Sequence, residues 1–329
     1  MTALAPTLQA FFTDRLMSQR QASPHTITAY RDTFRLLLRF AANRTRTQPC
    51  ELGIGDLDAP LMAAFLDHLE TGRRNGVRTR NHRLAAIHSL FGYAALRHPE
   101  HAASIQRVLA IPPKRAERTL LTYLTDHEVD ALVAACDRST WTGRRDHAMI
   151  VLTIQTGLRI SELINLTCAD VVFGAGAHVH CLGKGRKQRR TPLTPHTTRV
   201  LRVWLSERHG TPVQPLFPTI TGKLLSRDAI EHRITHHAGK AGEACPSIRT
   251  KKITTHTLRH TAAMRLLLSG VDVTVIALWL GHEQVSTTNI YLHADMSQKE
   301  RAIARTTPPN TPPGRYRAPD TVLAFLEAL

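Results

Sequence analysis

The stretch Gly281-His282-Glu283-Gln284-Val285-Ser286-Thr287-Thr288-Asn289-Ile290-Tyr291 sets the reading of this chain. A histidine follows a glycine, and a tyrosine comes nine residues later, just past the N-cap residues Ser286, Thr287 and Thr288. The pattern predicts a turn leading into a short helix that carries Tyr291. Taken alone, a tyrosine in such a helix packs and a histidine in such a loop is solvated. The meaning of the stretch therefore rests on what lies upstream.

Immediately before it, Val273, Val275, Ile276, Leu278 and Trp279 form an apolar segment that ends at Gly281-His282. Before that, Lys251-Lys252-Ile253-Thr254-Thr255 leads into a helix opening with His256-Thr257-Leu258-Arg259-His260 and ending at Gly270. His256 and Arg259 are three apart and share a face near the helix start. His256 and His260 are four apart, a spacing that also suits a metal. No glutamate follows His256 and no acidic third ligand is near, so zinc is not expected.

Further back, Ala177 to Leu182 alternates like a strand, Gly183-Lys184-Gly185-Arg186-Lys187-Gln188 is a turn, and Arg189 to Leu193 returns. This predicts a β-hairpin with Lys184 at a glycine-flanked, mobile tip, next to Arg186 and Lys187. The tip lacks the spacing of a nucleotide-binding Walker A loop; its plain alternative is a solvated basic turn. Upstream again, an apolar helix over Asp146 to Gln155 runs into Thr156-Gly157-Leu158-Arg159-Ile160-Ser161-Glu162-Leu163. Gly157 permits a sharp turn, after which Arg159 can be aimed at a fixed point, and Ser161 can cap the next helix. The plain alternative for Arg159 is a surface ion pair with Glu162. Thr125-Asp126-His127-Glu128 reads as a capping box opening a helix with Val129, Leu132 and Val133.

The first hundred residues are helical throughout and hold no constellation that suggests chemistry. Residues 5–20 predict a helix with Leu8, Phe11, Phe12, Leu16 and Met17 on one face. The next carries Tyr30, Phe34, Leu37, Leu38 and Phe40, with Arg31, Arg35 and Arg39 as a second stripe. Asp58-Ala59-Pro60 opens a third, closed by Gly72. Thr79 opens a fourth, with Arg80, Asn81 and Arg83 clustered at an end where backbone N–H groups also favour a phosphate. A last short helix covers about 101–110. Ile111-Pro112-Pro113-Lys114-Arg115 reads as a linker.

The chain has 329 residues, long enough for two domains, and 42% of it is apolar. Its formal net charge is +17, and the excess divides between residues 1–115 (+8) and 116–329 (+9), so it is not a basic tail. An extended polyanion touching both halves is the partner this balance predicts, with nucleic acid first. The five cysteines, at 50, 136, 168, 181 and 245, show no Cys-x-x-Cys spacing and suggest reduced thiols in a cytosolic protein. Met1 to Gln21 is polar and amphipathic, unlike a secretory signal. No apolar run reaches 18 residues, so no membrane partner is expected.

Collected in order, Arg159, Lys184, His256-x-x-Arg259, His282 and Tyr291 resemble the tyrosine recombinases, the phage-integrase family that includes the Xer recombinases and many transposon integrases. The resemblance covers about residues 120–300 by motif and extends loosely to 1–110, whose helices resemble the family's SAM-like core-binding domain. All six positions fit the pattern. It implies a mainly α fold with a small antiparallel β-sheet. The boundaries expected are a core-binding domain over 1–110, a linker over 111–118, a catalytic domain over 119–305, and a Pro-rich connector with a C-terminal helix over 306–329.

The implied chemistry fits the residue types. Arg159 and Arg259 are planar forks for the non-bridging oxygens of a phosphodiester, stabilising the charge of a pentavalent transition state. By resemblance His282 donates a third hydrogen bond, and Tyr291 is the nucleophile of a covalent 3′-phosphotyrosyl intermediate. His256 is the candidate base, Lys184 the acid for the leaving 5′ oxygen, and Glu162 orients an arginine or a histidine. No metal, nucleotide or other cofactor is called for. Double-stranded DNA is the expected partner, contacted by Arg80, Asn81, Arg83, Arg186 and Lys187. A homo-tetramer on synapsed DNA is implied, and a second recombinase as partner stays open, as does whether the C-terminal helix docks in cis or on a neighbour.

Integration or transposition of a mobile element is preferred over chromosome-dimer resolution, because the Pro-rich tail exceeds what a minimal Xer-like chain needs. No added arm-binding domain is expected ahead of residue 5. The competing readings are a non-catalytic DNA-binding factor and a type IB topoisomerase.

Overall fold

The computed structural model describes residues 3–116, 121–183, 188–281, 288 and 291. Lys184, Arg186, Lys187, His282 and the Pro-rich tail with the expected C-terminal helix lie outside the described residues. The chain divides into two units, Met1–Thr119 and Leu120–Leu329.

The first unit is helical because its apolar residues recur at helical spacing, and two of its helix starts carry side-chain caps. Ser23 accepts from the Thr26 N–H and Asp58 from the Leu61 N–H, each followed by a proline within the first turn. They open α2 (Pro24–Thr45) and α3 (Ala59–Thr71), followed by α4 (Val77–Ala95) and α5 (Ala102–Leu109). The first helix departs from the expected period. It begins as α1 (Leu4–Ala10) and continues in π-helical windings over Phe11–Gln19. Five residues then share a turn-to-turn position, so Phe11 and Leu16 are both buried while Met17 is exposed. Phe11 anchors the core, ringed by Tyr30, Phe34 and Tyr93 at centroid distances of 5.6 to 6.3 Å.

The second unit is built on α7 (Trp141–Thr156), whose residues from Arg145 to Ile154 are all buried. Around it stand α6 (Asp126–Ala134), α8 (Ile160–Asn165), α9 (Pro195–Arg208), α10 (Arg227–Ala244), α11 (Thr255–Leu268) and α12 (Val273–Leu280). The expected capping box is present: the Thr125 N–H donates to the Glu128 carboxylate at 2.8 Å. A three-stranded antiparallel sheet in the order β1 (Val171–Val172), β2 (His178–Leu182), β3 (Gln188–Pro192) flanks the helices. The hairpin expected from the sequence pairs His178 with Pro192 and Leu182 with Gln188; β1, only two residues long, carries too little pattern to be read in advance.

A second difference concerns α8. The cap position is Arg159, not Ser161: the Arg159 N–H donates to the Glu162 carboxylate at 2.8 Å, and Ser161 lies inside the helix. Glu162, three residues on, takes the capping role that the serine was expected to fill.

Candidate active site

The chain turns sharply at two glycines, and the site is built on both. Gly157 ends α7 at φ +64°, where an added Cβ would stand 2.6 Å from a Leu280 methyl. Gly281 ends α12 at φ +65°, with an added Cβ 2.6 Å from Arg189 Nη1. Only glycine meets both the left-handed backbone and the close approach. The two turns therefore press together, and the carbonyls they expose become a scaffold for arginines.

Arg259, buried on α11, donates from Nη1 to the Gly157 carbonyl at 2.5 Å and from Nη2 to the Leu280 carbonyl at 2.7 Å. Arg159 donates from Nη2 to the Gly281 carbonyl at 2.7 Å and from Nη1 to Glu162 at 2.8 Å. Arg189 of β3 forks onto both oxygens of Glu162, at 3.0 and 2.8 Å, and also reaches the Leu280 carbonyl at 3.0 Å. The last carbonyls of α12 have no partners within their own helix and carry the negative end of its dipole, so guanidinium groups are suited to them. Arg159 and Arg189 share the one buried carboxylate, Glu162, while Arg259 rests on carbonyls alone, so the three guanidinium groups leave an excess of two positive charges. Each guanidinium has five N–H donors, so some remain for a ligand. Burial, then Arg159 and Arg189, push Arg259 down to about 10, which still leaves it charged at neutral pH.

Tyr291 is 2% exposed and packs with Met264, Leu267, Ile276 and Leu280 of α11 and α12. Burial raises the pKa of its hydroxyl, while Arg259 and Arg159 pull it down. The hydroxyl lies 3.0 Å from Nδ1 of His260, and the two rings meet edge to face with centroids 5.6 Å apart. His256 stands one turn earlier on α11, its ring centroid 5.0 Å from that of His260, and is exposed. Partial desolvation, then Arg259, lowers His256, with Glu231 opposing. Glu231 of α10 holds the start of α11, accepting from the Thr255 hydroxyl at 2.5 Å and the Thr255 N–H at 3.2 Å.

Of the residues singled out in the sequence, Arg159 with Glu162, His256 with Arg259, and Tyr291 come from three separate stretches to one end of the second unit. Two residues join them unannounced. Arg189 was one basic residue among several on a hairpin strand. The sequence offers His260 only as a metal ligand. No local signal marks Arg189, whereas the i, i+4 spacing from His256 does place His260 on the same face.

Two of the three residues of the first unit expected at DNA are engaged by the chain itself. Arg80 is only 5% exposed, and its Nη1 donates to the Pro112 carbonyl and to Asn81, both at 3.1 Å. Asn81 pairs with the backbone of Lys114 in both directions, at 2.7 and 3.0 Å. Both side chains tie residues 112–114 to α4, because the prolines there leave carbonyls that helix hydrogen bonds cannot satisfy. Arg83 differs. It is half-buried, burial and then Arg73 lower its pKa, and its Nη1 has no hydrogen-bond partner among the described residues.

Comparison with known proteins identifies the architecture. Residues 122–298 match the phage integrase family, and residues 10–98 match the phage integrase N-terminal SAM-like domain. The chain is 54% identical to a Sinorhizobium fredii protein named integrase/recombinase y4rC, over 99% of this chain and 98% of that one. It is 31% identical to the tyrosine recombinase XerD of Pseudomonas putida, over 94% and 99%. Among solved structures it resembles the XerH site-specific recombinase bound to its palindromic difH substrate, with a TM-score of 0.67, 21% identity, and 88% and 82% covered. It also resembles the Tn1549 transposon integrase in complex with transposon right-end DNA, with a TM-score of 0.68, 16% identity, and 92% and 98% covered. Among the described residues no helix is long and apolar enough to cross a membrane. With both of its units matched and a relative aligned nearly end to end, the chain belongs to the phage integrase family and is a site-specific tyrosine recombinase.

Proposed function

We propose that this protein cuts and rejoins double-stranded DNA through a covalent 3′-phosphotyrosyl intermediate, with Tyr291 as nucleophile. The observation that carries the reading is the placement of the Tyr291 hydroxyl, buried beside a set of three arginines that holds two uncompensated positive charges. A phosphodiester is already negative, and attack adds charge to its non-bridging oxygens. The free N–H groups of Arg159 and Arg259 bind those oxygens and stabilise the added charge. Glu162 and Arg189 keep Arg159 aimed. Lys184 and His282, by the family pattern, serve the leaving 5′ oxygen and a third hydrogen bond. His256, exposed at the start of α11, faces a docked phosphate. A free 5′-OH of a second strand then attacks the phosphotyrosine, so no external energy source or cofactor is needed.

The domain roles proposed are core binding by the first unit and catalysis by the second, with Arg83, Arg186 and Lys187 contacting the DNA backbone. We assign the biological role to integration or transposition of a mobile element. The relative named as an integrase/recombinase supports this, as does the likeness in fold to a transposon integrase. A homo-tetramer on synapsed DNA and a cytoplasmic location accompany the reading.

Covalent trapping tests it. The protein is incubated with nicked suicide DNA from its own genomic neighbourhood, with EDTA present, and run on a denaturing gel. A shifted protein–DNA adduct is expected for the native chain and none for Tyr291→Phe. Tight DNA binding without an adduct overturns the catalytic assignment.

A further inference from the structure

The proton of Tyr291 must go somewhere when its oxygen attacks phosphorus, and the structure assigns it to Nδ1 of His260. The inference rests on the reading of Tyr291 as nucleophile. His256, the base expected from the motif, makes no hydrogen bond to any described residue, whereas His260 Nδ1 is 3.0 Å from the tyrosine oxygen. No other described residue is a side-chain partner of that oxygen. The three rings form a file from solvent inward: His256 exposed, His260 half-buried, Tyr291 fully buried. The four-residue spacing along α11 dictates this order, since it stacks His260 one turn below His256 on one face.

His260 is in the right form to accept. Burial, then His256 and Arg259, push it down to about 4, so its ring is neutral at physiological pH. With Nδ1 accepting, the ring's own proton sits on Nε2. In the free protein the imidazole is too weak a base to strip a buried phenol, and the hydroxyl stays intact. The arriving phosphate changes both partners. Its negative charge beside His256, Arg159 and Arg259 makes a charged imidazolium less costly, and forming the O–P bond makes the phenol acidic. The Oη–H bond breaks and an Nδ1–H bond forms, as the Oη–P bond forms and the P–O5′ bond breaks, its electron pair leaving on O5′ to be protonated by the acid of the proposed reaction. On rejoining, the tyrosine oxygen leaves phosphorus and recovers the same proton from His260.

The test is single-turnover adduct formation on saturating suicide DNA from pH 6 to 9.5. It compares the native chain with His260→Ala, His260→Asn, His256→Ala and Tyr291→Phe, with DNA affinity and melting temperature measured for each. His260→Ala is expected to slow adduct formation by about 10²–10⁴-fold near neutral pH, with DNA affinity nearly unchanged. The deficit shrinks as pH rises, because hydroxide becomes an alternative acceptor. His260→Asn keeps a hydrogen-bond acceptor near the Nδ1 position but cannot take the proton, so it stays slow; it also serves if the alanine variant fails to fold. Recovery of the native rate in His260→Asn would reduce His260 to a positioning residue and overturn the proposal. So would a native rate in His260→Ala alongside a large loss in His256→Ala. Absence of any adduct from the native chain instead strikes the nucleophile assignment itself, and the two failures are thereby distinct.

Discussion

The second unit contains two buried carboxylates gripped by arginines, and they differ in what is left over. Asp146 of α7 is fully buried. Its Oδ1 accepts from Arg145 at 3.0 and 2.7 Å, and its Oδ2 from Arg233 at 2.5 Å and His237 at 2.9 Å. Burial alone would raise its pKa, but the bonds from His237, Arg145 and Arg233 outweigh burial and hold it low. Arg145 also donates to the Pro218 carbonyl at 2.9 Å. The cluster ties α7 to α10 and to the loop before it. Glu162 is also buried and accepts as many bonds, yet its partners Arg159 and Arg189 spend other donors on the carbonyls of Gly281 and Leu280, and Arg259 beside them binds carbonyls alone. Asp146 is the centre of its cluster; Glu162 is the support of one that has positive charge to spare. The same chemistry fastens the fold in one place and, in the other, leaves the positive charge that the proposed phosphate site draws on.

Breaking the Asp146 cluster has the largest expected effect. Asp146→Ala leaves Arg145 buried without its partner, and should cost about 3–5 kcal/mol of folding stability in urea titration. Adduct formation per folded molecule should change little. The reverse holds for Glu162→Gln. Arg159 and Arg189 keep their carbonyl partners, so stability should fall by only about 1–2 kcal/mol. With Arg159 no longer aimed, single-turnover adduct formation should drop by roughly 10–100-fold, equivalent to about 1.4–2.7 kcal/mol of barrier. A larger stability loss than for Asp146→Ala would show that the two clusters do the same work.

The smallest effect is a slope with pH. His147, next to Asp146, and His260, next to Tyr291, are both pushed down to about 4, chiefly by burial. The unfolded chain takes up protons near pH 6.5 that the native chain refuses until about 4. Stability therefore rises with pH across that window and is lost as pH falls through it. Urea midpoints measured between pH 7.5 and 4 should decline, by about 1–3 kcal/mol per buried histidine at most. His147→Leu should flatten the curve without slowing adduct formation at neutral pH, whereas His260→Asn should flatten it and slow the chemistry.

Local physics made much of the molecule readable from the chain alone. Helical spacing of Phe34, Leu37 and Leu38, the helix starts at Asp58 and Thr125, and the alternation around Val179 and Cys181 each act within a few residues of one another. So do the glycine turns at 157 and 281, and the ordered motif from Arg159 to Tyr291 marked the family. What the tertiary structure decided depends on distance in sequence. Arg189 enters the site because β3 lies against Glu162 and Leu280, far from it along the chain. Arg80 is buried, donating to the Pro112 carbonyl 32 residues away. His260 displaces His256 at the tyrosine because burial orders the two rings. A side chain's partners are chosen by whatever unsatisfied carbonyl, carboxylate or hydroxyl the fold brings within about 3 Å, and no spacing rule within one segment can state which that is.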